Sequence, residues 1–380
     1  MKIEQAQWDV ARGWTPSRFG ELGPAAQVVL VFGRPSMVEQ SGCRAACRQV
    51  YPHAILFGCS TGGEIADTRV TDDTVTLTAI AFQNTTVATA HTTIDGPEQS
   101  FDAGVRLVQQ FKPAGLRHIF ALSEGLHVNA SELVRGMNSA LPPGVALSGG
   151  CAADGNRLTA THVWCDSAPR SNFVAALGFY GEHLRIGVSA IGGWKPFGPD
   201  RLITKSKQHV LFELDGRPAL ALYKQYLGKH AEGLPATGLQ FPLELRVGAE
   251  NQRVLRAILA VDEAEQSITF AGTVPEGAYA RFMVGQTQGL LQATEIAART
   301  SLQRLGSLTP DLSILVSCNG RRFVLKQRVE EEVEAVREVL GPHTKLTGFY
   351  SYGEIAAPDA GGPAELHNET MTITSLTEVG

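Results

Sequence analysis

A serine inside a glycine-bounded pentapeptide is the first feature of the sequence that could do chemistry. Residues 58–62 read Gly-Cys-Ser-Thr-Gly and satisfy the G-x-S-x-G hydrolase pattern, in which Ser60 would be the nucleophile of acyl transfer. That pattern requires a sharp turn from strand to helix, whereas the residues after Ile65 alternate like a strand. The thiol of Cys59 is a second candidate nucleophile, with no neighbouring base in view. A hydrolase or thiol enzyme using Ser60 or Cys59 is therefore an alternative and not the preferred interpretation.

Two glycine-bearing loops could instead hold a small ligand. Residues 58–64 (GCSTGGE) and 149–155 (GGCAADG) each follow an apolar strand, and neither is a phosphate-binding or dinucleotide fingerprint. Backbone N–H groups of such loops can bind anions, and open α/β sheets bind ligands at the carboxyl ends of their strands. We predict that the ligand-binding residues are Gly58, Cys59, Ser60, Glu64, Gly149, Gly150, Trp194, Asn319, Arg321, Tyr352 and Glu354.

Two glutamates, Glu64 and Glu354, each follow a glycine in similar surroundings. They could bind the ammonium group of a ligand. The favoured interpretation is that each carboxylate accepts hydrogen bonds from backbone N–H groups and stabilises its own loop.

Histidine spacing does not indicate a zinc site, because the ten histidines form no HxxxH or HExxH pattern. His127 follows one predicted strand and precedes a helix, at the edge where a ligand would bind. His209 lies between a loop rich in glycine and proline and the next helix, where it could line a cleft between domains. These two histidines are the candidate metal ligands.

An internal repeat organises the chain. Residues 52–66 (PHAILFGCSTGGEIA) and 342–356 (PHTKLTGFYSYGEIA) are identical at eight of fifteen positions, including the Gly-Glu-Ile-Ala that ends each segment. An apolar strand and a helix precede both copies, and a third, weaker copy covers residues 118–155. Because each copy reads as strand, helix, strand and glycine-bearing loop, the repeat predicts parallel βαβ units.

Hydrophobic periodicity places the elements that must position these residues. Runs of two-residue alternation or continuous apolar character predict strands at 28–32, 74–82, 118–123, 144–148, 172–179, 183–190, 268–271, 312–317 and 370–375. Helices are expected at 130–140 and at 216–228, where Pro218 lies near the first turn and Gly228 ends the helix. The predicted fold class is therefore α/β, with two related α/β substructures built on mixed sheets.

Domain boundaries follow from the same reading. At 380 residues the chain fits two domains, and the segment 192–200 is rich in glycine and proline. We predict an amino-terminal extension over 1–25, a first α/β domain over 26–217 and a second over 218–380.

Composition excludes several other classes of protein. Hydrophobic residues make up 43% and charged residues 19%, as in globular proteins, and the net charge is −5. No long block of one charge indicates nucleic acid as a partner. The six cysteines form no CxxC pair, no signal-peptide core is present, and no apolar stretch approaches about eighteen residues. We expect reduced thiols, a cytoplasmic location and no membrane contact.

The chain resembles the FIST family of sensory modules, which have an amino-terminal and a carboxy-terminal part. No single motif is specific to the family. The resemblance rests on the combination of segments, which extends from about residue 28 to 376. The segments concerned are Gly58–Ile65, Ser123–Val134, Gly193–Pro199, Phe212–Gly228 and Gly348–Thr374.

The resemblance implies a sensor of a small molecule or gas, and not an enzyme. This sequence carries no kinase-like segment, so the implied partner is a separate histidine kinase or cyclic-di-GMP enzyme, and a homo-oligomer is compatible. Similarity to the nitric-oxide-sensing branch of the family implies haem b, with His127 or His209 as the axial imidazole. Ferrous haem commonly takes such a ligand, although the chain has no CxxCH motif. A sensor of a small metabolite such as an amino acid, without haem, is the alternative.

Overall fold

The computed structural model describes residues 1–247 and 252–380. Strands of the first part are β1 (Lys2–Asp9), β2 (Gly13–Thr15), β3 (Val28–Gly33), β4 (Ile55–Cys59), β5 (Glu64–Ala66), β6 (Arg69–Thr71), β7 (Val75–Ala81), β8 (Thr86–Thr93) and β9 (Leu116–Ser123). They are followed by β10 (Ala146–Cys151), β11 (Val163–Cys165), β12 (Phe173–Tyr180), β13 (Leu184–Ile191), β14 (Lys195–Pro196), β15 (Arg201–Lys207), β16 (Val210–Leu214), β17 (Arg217–Pro218) and β18 (Leu243–Val247). The last are β19 (Gln252–Arg256), β20 (Ile258–Asp262), β21 (Ser267–Phe270), β22 (Tyr279–Val284), β23 (Leu312–Cys318), β24 (Lys345–Ser351), β25 (Glu354–Ala356), β26 (Glu365–His367) and β27 (Met371–Glu378).

Helices lie between these strands. The α-helices are α1 (Pro35–Gln40), α2 (Cys43–Val50), α3 (Ser100–Gln109), α4 (Ala130–Ala140), α5 (Ala219–Leu227), α6 (Thr287–Arg304), α7 (Asn319–Leu325) and α8 (Val329–Leu340). Short 3₁₀ helices occupy Gly23–Ala25, Pro97–Gln99, Gly228–Gly233, Ala236–Gln240 and Lys326–Arg328.

Three six-stranded sheets share one plan. Their strand orders are β11-β4-β3-β7-β1-β2, β26-β25-β10-β9-β12-β8 and β13-β27-β23-β24-β5-β6. Each contains one parallel pair, β3/β4, β9/β10 or β23/β24, and helices connect the two strands of each pair. The mixed α/β class, the βαβ units and the internal repeat are therefore confirmed, and the weak third copy supplies the parallel pair of the second sheet.

Short strands are exchanged around the three sheets. The chain leaves β4 of the first sheet and forms β5, which pairs with β24 of the third sheet. It leaves β24 and forms β25, which pairs with β10 of the second sheet. It leaves β10 and later forms β11, which pairs with β4 of the first sheet. The exchange closes a ring, so the loops that follow β4, β10 and β24 must lie together.

The cores follow from this arrangement. One buried cluster contains residues of all three sheets, for example Leu30, Phe120 and Ile314, so the sheets face a common centre. Helices cover the outer faces: α2 packs on the first sheet, α3 and α4 on the second, and α6 and α8 on the third. Each sheet is thus buried on both sides, which explains its nearly continuous apolar strands.

A fourth sheet is inserted between β13 and α6, two elements that pack within the third substructure. Its order is β19-β18-β22-β15-β16-β21-β20, with β14 on β22 and β17 on β16, and it has its own core against α5. The predicted division at 217/218 lies within β17 of this sheet.

A buried ion pair holds both connections to the fourth sheet. Arg321 of α7 is unexposed and lies 2.6 Å from the carboxylate of Glu332 in α8. Its remaining N–H groups donate to the backbone oxygen of Gly192, which precedes the sheet, and to Leu290 O (3.0 Å) and Thr294 Oγ1 (2.8 Å) of α6, which follows it. The predicted ligand residue Arg321 is therefore committed to internal contacts, because a closed network leaves it no surface for a ligand.

The loops that follow β4, β10 and β24 are called the central loops. Equivalent carboxyl groups stabilise two of the three. Oε2 of Glu64 accepts hydrogen bonds from Thr74 N (3.2 Å) and Thr74 Oγ1 (2.7 Å). Oε2 of Glu354 accepts them from Thr370 N (3.1 Å) and Thr370 Oγ1 (2.9 Å). A hydroxyl of the loop itself, from Thr61 or Ser351, donates to the other oxygen. Each carboxylate thus accepts two hydrogen bonds from hydroxyl groups and one from a backbone N–H, whereas the sequence predicted backbone donors.

Breaking the buried pair should destabilise the protein strongly. Arg321→Met leaves the Glu332 carboxylate buried without its cation, and we expect the free energy of unfolding to fall by about 3–5 kcal/mol. Urea denaturation measures this loss. The control is Arg135→Met, which removes an exposed pair with Glu132 and should leave the urea midpoint unchanged. Equal midpoints for Arg321→Met and the parent would contradict the assignment.

Stability should also depend on the two loop carboxyls. Burial raises the pKa of Glu64 to about 7 and that of Glu354 to about 8, from an ordinary value of 4.5. Because the folded-state pKa is the higher one, their contribution is complete below the unfolded pKa and is lost as pH rises through 7 to 8. Between the unfolded pKa of 4.5 and its own folded value, each group lowers the free energy of unfolding by at most about 1.4 kcal/mol per pH unit.

Glutamine is neutral at every pH and should remove this dependence. We expect the double variant Glu64→Gln/Glu354→Gln to lose less unfolding free energy than the parent between about pH 5 and pH 8. Thermal or urea unfolding across that range provides the measurement. An equally steep decline in the variant would show that other groups cause it.

Candidate functional site

A mostly apolar cavity lies between the central loops and the inserted fourth sheet. Its volume is about 640 Å³. The three-sheet body contributes Leu126 and Phe323 to its wall, and the fourth sheet and its connections contribute Leu239, Ile258 and Phe270. The volume and lining are those of a small-molecule site, which is usually a mostly apolar cleft between structural units.

Backbone hydrogen bonds join the three central loops, and Cys151 of this set also lines the cavity. Ala153 N donates to Ser60 O (2.9 Å), Gly62 N to Tyr350 O (2.7 Å) and Cys151 N to Gly353 O (2.7 Å). These bonds join every pair of loops, and they leave the carboxyl ends of the parallel strands at one place. This is the position at which α/β sheets bind ligands.

His127 lines the cavity on the side of the three-sheet body. It follows β9, where the unexposed carboxylate of Glu124 accepts hydrogen bonds from Leu126 N (3.0 Å) and His127 N (2.7 Å). The same carboxylate lies 3.4 Å from Nδ1 of His127, and the imidazole remains 60% exposed. Glu124 therefore orients the ring and leaves Nε2 available, the arrangement found behind metal-binding histidines.

His209 lines the same cavity from the side of the fourth sheet. It lies in the turn between β15 and β16, and its backbone oxygen accepts a hydrogen bond from Phe270 N (2.9 Å). Gln208 before it has a positive φ of 55°, so the turn is tight. The structure thus brings the two candidate histidines, 82 positions apart in the chain (209 − 127), to one cavity.

Two other predicted residues, Asn319 and Tyr352, also line this cavity and hold one of its walls. Tyr352 Oη donates to Asp154 and to Gly155 O (2.7 Å). Asn319 Nδ2 lies 3.2 Å from Gly155 O and 3.3 Å from Asn156 Oδ1. Burial alone would raise the pKa of Asp154, but hydrogen bonds from Tyr352, Thr159 and Ala160 lower it, so the carboxylate stays ionised. Both side chains therefore shape the wall through this loop.

Four predicted residues lie in packed interiors outside the cavity. Gly58 and Gly149 are glycines because a Cβ would lie 1.7 Å from Val31 O and 1.8 Å from Ala121 O, the backbone of neighbouring parallel strands. A Cβ on Gly150 would approach Val316 to 2.6 Å. Trp194 packs against α6, and its Nε1 donates to Glu369 O (2.7 Å). These residues build the scaffold, since close packing leaves them no cavity surface.

The candidate nucleophiles are both buried, although Ser60 borders a separate cavity of about 230 Å³. Cys59 is unexposed in the common core, and burial raises its pKa well above the ordinary value. Ser60 has 1% exposure, and its hydroxyl accepts the backbone N–H of His162 (2.9 Å). A nucleophile needs access and a base, and Cys59 has neither a thiolate nor an approach.

The glutamates differ in position. Glu64 borders a second, polar cavity beside the first, whereas Glu354 lies within the packed interior between β25 and Thr370.

Sequence reasoning missed several residues at the cavity. Cys151, Cys318 and Ser351 reach it from the ends of β10, β23 and β24. Their position at strand ends was visible in the repeat, but their side-chain direction was not. Glu369 is a further case: its buried carboxyl lies directly behind Gly320, where a Cβ would meet it at 2.2 Å. Its oxygens have no hydrogen-bond partner among the described residues, and burial raises its pKa well above the ordinary value.

Across 1–247 and 252–380, no three side chains of histidine, cysteine, aspartate or glutamate group in a way that could hold a metal ion. In the same ranges, no helix has the length and apolar character needed to cross a membrane.

Two family models match the chain. The FIST N domain model matches residues 27–217 and the FIST C domain model matches 219–357. Two uncharacterized Mycobacterium tuberculosis proteins, from strains CDC 1551 and H37Rv, are each 23% identical over 360 residues, covering 93% of this chain and 90% of theirs.

Solved structures resemble the chain only weakly. A cyanuric acid hydrolase aligns over 99% of both chains at 11% identity with a TM-score of 0.35. The cyanuric acid hydrolase from A. caulinodans covers 78% of this chain and 100% of its own, at 11% identity and a TM-score of 0.21. Scores this low carry no inference about activity. The two family models together match most of the sequence, and the chain therefore belongs to the FIST family, whose domains indicate a sensory, ligand-binding role.

Proposed function

We propose that the protein is a sensor whose ligand binds in the 640 Å³ cavity between the central loops and the fourth sheet. The observation that carries this proposal is the convergence of His127 and His209 on that one cavity. Polar groups that converge on an apolar pocket from two structural units are typical of ligand sites. A catalytic role is not favoured, because Cys59 is unexposed and Ser60, which borders a separate small cavity, is 1% exposed and accepts the backbone N–H of His162.

Haem is the ligand that we propose for this cavity, with His127 as its axial ligand. The lining is mostly apolar, and the Glu124 carboxylate lies beside Nδ1 of His127, which leaves Nε2 as the nitrogen that would bind iron. His209 is the competing ligand from the opposite wall. Ferrous haem would supply an iron that binds nitric oxide. A small metabolite bound in the same cavity, without haem, is the alternative.

Output would pass to a separate histidine kinase or cyclic-di-GMP enzyme. A ligand in this cavity contacts the three-sheet body and the inserted fourth sheet together, because both line it. Occupancy would therefore favour one relative position of the two parts, provided that the ligand binds that position better. A surface spanning both parts is where a partner could detect the change.

Removing the axial imidazole should alter the haem spectrum. Titrating the protein with ferrous haem, then with nitric oxide, should give a Soret band in the parent, and His127→Ala should shift or abolish it. His209→Ala tests the competitor in the same assay. His53→Ala is the control, because His53 is exposed and does not line the cavity.

The spectra separate the possible outcomes. If His127→Ala and His209→Ala both take up haem as the parent does, the haem proposal stands, but neither histidine is its ligand. No haem uptake by the parent protein would exclude haem and leave the small-metabolite sensor as the better proposal.

A further inference from the structure

A second, polar cavity adjoins the apolar one. Its volume is about 620 Å³, and Thr61, Gly62 and Gly63 of the first central loop line it. The two cavities have Gly155, Asn156, Asn319 and Phe323 in common. The asparagine pair, linked at 3.3 Å, is therefore a thin partition between them.

Basic side chains dominate the polar cavity. Two of the four are paired, Arg34 with Asp73 (2.5 Å) and Arg322 with Asp72 (2.6 Å). Arg157 and Lys326, the other two on its wall, have no carboxylate partner within residues 1–247 and 252–380.

Further details indicate unused capacity for an anion. Nε of Arg34 is buried and has no acceptor among the described residues. Among the described residues the one other acid on the wall is Glu64, and burial raises its pKa to about 7, so it is partly neutral near neutral pH. Cations therefore outnumber anions here, and one donor lacks an acceptor.

The apolar cavity has the opposite character. Neither arginine nor lysine is among the residues described on its wall, and its one acidic side chain is Asp95. The apolar cavity therefore offers no cation to pair with the carboxylate of a ligand. Guanidinium groups match planar carboxylates through paired hydrogen bonds, and such groups lie only beyond the partition.

We propose that the two cavities form one site for an amphipathic carboxylate. Its apolar body fills the 640 Å³ cavity, and its carboxylate passes the Asn156–Asn319 partition to reach Arg34, Arg157 and Lys326. This inference rests on the proposed function, since it takes the apolar cavity as the ligand site. It applies to the propionates of haem and equally to another apolar carboxylic acid.

Matched probes that differ only in charge test the inference. Parinaric acid, a fluorescent long-chain carboxylic acid, is titrated into the full-length protein beside its methyl ester. The acid should bind more tightly than the ester, and the double variant Arg157→Gln/Lys326→Gln should weaken acid binding by about tenfold without changing ester binding. Raising the salt concentration should also weaken only the acid. The control variant Arg12→Gln/Lys112→Gln removes the same two charges from exposed positions outside both cavities.

The outcomes are distinct from those of the haem experiment. An acid that binds no more tightly than its ester, or equal losses for acid and ester in the double variant, would overturn the inference. If the acid shows the expected preference but ferrous haem is not taken up, haem fails and the two-cavity site stands. If haem binds and its dimethyl ester binds equally well in parent and variant, the haem proposal stands and this inference fails.

Discussion

The exchange of short strands between the three sheets is the constraint on which the site depends. β5, β25 and β11 each pair with a sheet other than the one that the chain has just left. No sheet can therefore complete its edge alone, and the backbone groups of one central loop are satisfied by the next. Because the ring closes, the ends of three parallel strand pairs are brought to one place. The second and third pairs supply the wall of the apolar cavity, and the loop after β4 lines the polar one.

Two kinds of buried polar group hold this arrangement, and they act at different levels. The Glu64 and Glu354 carboxyls act locally, since each links a central loop to the strand that follows it. The Arg321–Glu332 pair acts between parts of the molecule, since Arg321 also bonds to Gly192 before the fourth sheet and to α6 after it. The position of the fourth sheet, and with it the far wall of the cavity, depends on that pair.

The inserted sheet also gives the site its chemical division. Where it faces the central loops, the enclosed space is apolar and carries the two histidines. On the other side of the Asn156–Asn319 partition, the first loop is bordered by arginines and a lysine. A single partition thus separates a region suited to apolar contact from one suited to charge. The energetic reason is that an unpaired charge is costly in the first region and well solvated in the second.

The sequence by itself determined the local elements and the repeat. The helix predicted at 130–140 is α4, and the strands predicted at 28–32 and 312–317 are β3 and β23, because apolar periodicity is a local property. The shared Gly-Glu-Ile-Ala indicated equivalent loops, which the matching bonds of Glu64 and Glu354 reproduce. Tertiary structure alone decided which residues meet. Arg321 could be taken for a ligand residue because its partners at Gly192, Leu290 and Glu332 are distant or on another helix. For the same reason only the exchanged strands and the inserted sheet, both long-range pairings that periodicity does not encode, bring His127 and His209 to one cavity.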